Sequence, residues 1–103
     1  MILVVCTAGA DRSVALAKQL RELLPNFEFK PCGISRYHTR KRKTMHVSEW
    51  LPVYPKLILC VETVHQAYVG GYFDALNPTW RPEVWNVRNM TPERIAKKIR
   101  EAV

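Results

Sequence analysis

Residues 2–6 read Ile-Leu-Val-Val-Cys, apolar without a break and rich in β-branched side chains. A strand of that kind is stable only with both faces covered, as inside a parallel sheet flanked by helices. From Arg12 onward Leu16, Leu20, Leu23 and Leu24 recur at helical spacing, with Lys18, Gln19, Arg21 and Glu22 between them, until Pro25-Asn26 stops the pattern. Residues 27–32 predict a short second strand, residues 57–61 a further buried run, and residues 65–73 a short helix interrupted by Gly70-Gly71. Residues 83–87 read as a fourth strand after the turn-rich 77–82. Thr91-Pro92-Glu93 then supplies a cap, a proline at the first helical position and an acid in the first turn, and Ile95, Ile99, Ala102 and Val103 form the apolar stripe of a last helix.

Strands alternating with helices imply βαβ units with right-handed crossovers. The expected fold is therefore a three-layer α/β domain whose four-stranded parallel sheet has the order 2-1-3-4, with helices on both faces. Its 103 residues are enough for one core and not for two, so residues 1–103 should form a single domain. In such a sheet the chain leaves strands one and three toward opposite sides, and ligands bind at their carboxyl ends. Residues 7–13, the turn from the first strand into the first helix, lie there.

That turn reads Thr-Ala-Gly-Ala-Asp-Arg-Ser after Cys6. A loop entering a helix N-terminus presents backbone N–H groups and the positive end of the helix dipole, which favour an anion. Ala8, Gly9 and Ala10 leave room for it. A loop curling round a tetrahedral anion places the Cys6 sulfur below it and the Arg12 guanidinium beside it, where the fork can bind two oxygens. The same field stabilises a thiolate, making Cys6 a candidate nucleophile with Ser13 as its hydrogen-bond partner. Taken singly, Cys6 is a buried strand-end cysteine and Arg12 a solvated charge; their combination with small residues and a following serine points to an oxyanion site.

Composition agrees with anionic ligands. Lys and Arg outnumber Asp and Glu by 16 to 9, a formal charge of +7, which suits phosphorylated substrates, nucleic acid or an anionic membrane face. The apolar stretches are only about five residues long and the chain opens directly on a strand, so neither a signal peptide nor a membrane span is expected and the protein is read as cytoplasmic. Cys6, Cys32 and Cys60 are odd in number and lack metal spacing, which argues against a disulfide framework or a zinc site. No metal or other cofactor is expected.

The run Cys6-x5-Arg12-Ser13 after an N-terminal strand resembles the phosphate loop of low-molecular-weight protein tyrosine phosphatases. The segment from Cys32 to Ser35 sits where that family has a Ser-Ala-Gly-Thr-like stretch, residues 57–69 resemble its third strand, turn and following helix, and residues 84–95 are similar to its fourth strand and catalytic loop. The likeness covers nearly the whole chain, which is short for the family, and the first motif is the specific one. It implies that Cys6 attacks phosphorus, that Thr7, Ala8, Gly9, Ala10, Asp11 and Arg12 surround the phosphate, and that Ser13 eases departure of the thiolate. The implied substrate is a phosphorylated protein or a small phosphomonoester, most simply phosphotyrosine.

Three positions depart from the family pattern. Gly9 stands where an asparagine is usual, and glycine readily takes the positive φ required there. Asp11 replaces a residue that is often a second cysteine; capping the helix is its plainer role. Asn89 occupies the general-acid position, and an amide cannot give a proton to a leaving alkoxide. Asp74, before the fourth strand, reads as a helix-end or turn residue and not as a substitute acid.

Residues 35–46 read as a basic loop, with Arg36, Arg40, Lys41, Arg42 and Lys43 around Tyr37 and His38. It is either a solvated surface or a recognition element for a phosphoprotein or RNA, since basic groups bind phosphates and an aromatic stacks on a base. His38, His46 and His65 are expected at the surface or in packing roles, and Trp50, Trp80 and Trp85 in the core or a pocket wall. Two rival readings stand beside the phosphatase. One is a binding module that keeps the phosphate loop without efficient chemistry, as Asn89 and Asp11 suggest. The other is a phosphocysteine carrier like the IIB component of sugar phosphotransferase systems, against which Arg12 argues.

Overall fold

The computed structural model describes residues 1–53 and 55–102. Four strands, β1 (Ile2–Cys6), β2 (Phe29–Gly33), β3 (Leu57–Cys60) and β4 (Glu83–Asn86), form one parallel sheet in the order β2-β1-β3-β4. The helices are α1 (Arg12–Leu23), α2 (Arg36–Arg42), α3 (Thr63–Leu76) and α4 (Pro92–Ala102), with two 3₁₀ turns at Val47–Glu49 and Leu51–Val53.

The period-2 alternation of β1 sorts its side chains between two cores. Ile2, Val4 and Cys6 meet Ala17 and Leu20 of α1 and Ile95, Ala96 and Ile99 of α4 on one face. Leu3 and Val5 meet Val69 and Phe73 of α3, together with Val47 and Leu51, on the other. Every β1 residue is buried, which explains its unbroken apolar run. Among the described residues no helix is long and apolar enough to cross a membrane.

Several local expectations need correction. Residues 36–42 are a helix and not a loop: the Ser35 side chain accepts from the His38 N–H at its start, and Lys43 ends it with φ 55°. Helix α3 runs unbroken through Gly70-Gly71, because the cost of glycine in a helix, about 1 kcal/mol each, is offset by burying Val69 and Phe73. In α4 the buried stripe is Ile95, Ala96 and Ile99, whereas Ala102 is exposed and Val103 lies outside the described residues. Asp74 lies in the last turn of α3, the helix-end position expected of it, and pairs with Arg81 at 2.8 Å. Trp50 and Trp85 pack partly buried against the two cores, while Trp80 is an exposed wall, with Trp85, of a 240 Å³ cleft at the amino end of the sheet.

Candidate active site

Strands β1 and β3 are neighbours whose chains leave for opposite faces, α1 to one and α3 to the other, so a crevice opens beyond Cys6 and Val61. The turn of residues 7–11 fills its floor. Gly9 adopts φ +67°, and a Cβ there would lie 2.8 Å from the carbonyl carbon of Cys32 and from the nitrogen of Gly33. Both the conformation and the close approach demand glycine. The end of β2 braces the turn from behind: the Ile34 N–H donates to the Cys6 carbonyl at 3.1 Å and the Ser35 N–H to the Thr7 carbonyl at 3.0 Å. The Thr44 hydroxyl donates to the Ala8 carbonyl. With these carbonyls engaged from behind, the turn is held as a closed loop.

The Cys6 sulfur is buried at the base of this loop, receives the Gly9 N–H at 3.2 Å, and lies 3.0 Å from the Ser13 hydroxyl oxygen. Ser13 is itself fully buried in the first turn of α1. Its hydroxyl can accept from a thiol or donate to a thiolate. Cys6, Thr7, Ala8, Asp11 and Arg12 line a 130 Å³ depression above the sulfur.

Arg12 reaches across the crevice from α1 to the end of β3. Its Nη2 donates to the Val61 carbonyl at 3.1 Å and to Glu62 Oε1 at 2.9 Å. Among the described residues those bonds leave Nε and Nη1 uncommitted, from a group with five N–H donors. Glu62 also faces Arg88, whose Nε is 3.4 Å from Oε2, so one carboxylate aligns two guanidiniums at the mouth. Sequence reasoning missed Glu62 as a site residue; the acidic turn after β3 was its only trace.

Asp11 corrects the capping expectation. It precedes α1 but makes no capping hydrogen bond; its carboxylate pairs instead with Arg42 of α2, at 3.1 and 3.4 Å. The charge that Asp11 brings to the depression is thereby partly balanced. Asn89 is exposed in the turn after β4, at the same carboxyl end of the parallel sheet as the loop. Its neighbour Asn86 receives the Arg88 N–H at 3.0 Å and donates to Thr63 at 3.0 Å, tying that turn to the start of α3.

His38 is exposed, whereas His46 and His65 are buried. His65 lies in the first turn of α3, with Nε2 3.1 Å from the Thr7 hydroxyl and Nδ1 without a hydrogen-bond partner among the described residues. Burial, with the nearby Arg12 charge, pushes its pKa down against a smaller opposing pull from Glu62. Burial also pushes the Cys60 thiol up to about 12 and raises Cys32 further, so neither is a nucleophile at neutral pH. Among the described residues, Arg42 is the one of Arg36, Arg40, Lys41, Arg42 and Lys43 whose side chain hydrogen-bonds the loop, through Asp11. A scan against protein-family profiles, a search of curated proteins and a search of solved structures each found no match.

Proposed function

We propose that this chain is a cysteine-dependent phosphomonoesterase, similar to low-molecular-weight protein tyrosine phosphatases, with an aryl phosphate such as phosphotyrosine as substrate. The observation that carries the reading is the Cys6 sulfur, set between the Gly9 N–H and the Ser13 hydroxyl beneath a depression rimmed by Arg12. Loop amides, the N-terminus of α1 and the free edge of Arg12 are suited to hold three phosphoryl oxygens. The sulfur attacks phosphorus, the P–O ester bond breaks, and its electron pair leaves with the phenolate. Water then attacks the phosphocysteine, the P–S bond breaks, and inorganic phosphate departs while the Ser13 hydroxyl donates to the returning thiolate.

Asn89 favours a second reading, a phosphate-binding module with little turnover, because an amide cannot protonate a poor leaving group. Hydrolysis of para-nitrophenyl phosphate separates the two, since its phenolate leaves unaided. Steady release that Cys6→Ser abolishes supports the enzyme; release surviving that change refutes the cysteine mechanism. Millimolar phosphate or vanadate should raise the melting temperature, and Arg12→Ala should remove the rise. A protein that melts identically with and without these anions has no oxyanion site.

A further inference from the structure

Helix α2 is fastened to the phosphate loop at both ends. Ser35, its cap, donates to Thr7, while Arg42 binds Asp11 and the following Thr44 binds Ala8. Arg36 and Arg40 are one turn apart and share a face. With Thr39, Thr44, His46 and Glu49 they line a second pocket, of 330 Å³. Because Thr44 walls this pocket and touches Ala8, which walls the depression over Cys6, the two cavities adjoin. Among the described residues neither Arg36 nor Arg40 makes an ion pair, whereas Arg12, Arg42, Arg81 and Arg88 each do. Two arginines without an ion pair among the described residues thus line a cavity beside a site suited to a phosphoryl group.

We propose that the Arg36–Arg40 pocket is a second anion subsite, which takes a carboxylate side chain of an acidic phosphotyrosine peptide. This rests on the phosphatase reading for its phosphoryl half. Helix α2 is only seven residues long, about 10 Å, which two or three residues of extended peptide span. The subsite therefore selects an Asp or Glu two or three residues from the phosphotyrosine. Guanidinium forks match carboxylates in bidentate geometry.

Two observations favour a peptide over a nucleic acid. The exposed ring of Tyr37, the obvious stacking platform, is already engaged by the Lys41 ammonium at 5.9 Å and by the His38 ring edge-on at 5.2 Å. Glu49 in the pocket and Asp11 at the loop put carboxylates along the path, and a continuous phosphate backbone meets both, whereas a peptide can place a single charge between them.

The test is a set of four fluorescent peptides measured by anisotropy against the Cys6→Ser protein: tyrosine with or without phosphate, each flanked by glutamates or by alanines. The expected gain from the glutamates is about five- to tenfold at low ionic strength, as for two exposed ion pairs, shrinking as the Debye length falls to about 8 Å at 0.15 M salt. In Arg36→Gln/Arg40→Gln the acidic-over-neutral ratio should fall toward one, and Arg36→Lys/Arg40→Lys should restore part of it. A ratio near one in the parent protein, or a ratio that the glutamine pair leaves intact, overturns the subsite. Tighter binding of a 5′-phosphorylated oligonucleotide of equal charge, lost in the same variant, overturns the peptide assignment. The phosphate-dependent gain is read separately: its absence overturns the phosphoryl site, while the glutamate ratio still decides the subsite.

Discussion

Gly33→Ala isolates the brace behind the loop. A Cβ on Gly33 would sit 2.6 Å from the carbonyl carbon of Ala8, the nitrogen of Gly9 and the carbonyl oxygen of Thr7, roughly 0.8 Å inside ordinary contact. All three are backbone atoms of the loop, so no side chain can swing away; either β2 or the loop must move. Overpacking of this kind costs about 1–3 kcal/mol. In a domain of this size each kcal/mol is worth about 4–8 °C in melting temperature, so the variant should melt about 5–20 °C lower. On the proposed phosphatase reading, the displaced loop should also slow turnover, because a shift near 1 Å at a positioned group costs on the order of 100-fold in rate. Gly71→Ala is the internal control. Nothing lies within 4 Å of its Cβ, and it sits inside α3, so the same chemical change should stabilise by about 0.8–1 kcal/mol. Calorimetry reads the two changes in stability, and hydrolysis of para-nitrophenyl phosphate reads the turnover. A Gly33→Ala protein that melts with the wild type and keeps its rate would refute the reasoning.

Other outcomes follow from the site. Asn89→Asp should speed poorly activated phosphate esters over para-nitrophenyl phosphate by a factor within about 10² to 10⁴, read as a flatter dependence of rate on leaving-group pKa; an unchanged dependence places the proton donor elsewhere. Asp11→Ala removes a charge that lines the depression, together with any capping oxygen, and the Asp11 side chain makes no cap hydrogen bond. It should tighten phosphate binding several-fold at low salt, while losing only an exposed pair to Arg42 worth at most about 1 kcal/mol; a large stability loss instead would restore the capping role. His65 has a folded pKa below its unfolded value of about 6.5, so its contribution to stability is complete above that pH and is lost as pH falls and the unfolded chain takes up the proton. His65→Gln should flatten the decline of melting temperature below pH 6.5, and an unchanged pH profile would show that other groups cause it.

The alternation of β1, α1, β3 and α4 was legible in the sequence because each element carries its own period: Ile2 to Cys6 must be covered on both faces, and Leu16, Leu20 and Leu24 need a helix to meet one core. Those periods, with the handedness of crossovers, yielded the strand order and placed the Cys6 turn at the switch between β1 and β3. Helix α2 was not legible as a helix. Residues 36–42 have no apolar stripe; the segment is helical because Ser35 caps it and its ends are tied to a loop about 30 residues earlier. Asp11 likewise lost its cap to Arg42, a partner 31 residues away. Arg12 found Glu62 at a separation of 50 residues, and Thr7 found His65 at 58. Periodicity is a property of neighbours along the chain, so the sequence by itself determined the periodic elements, α2 excepted, and the position of the thiol. Which carboxylate aligns Arg12, which cation balances Asp11 and which guanidiniums remain unpaired depend on side chains that meet only when the sheet brings β1, β2 and β3 together, and only the tertiary structure decided them.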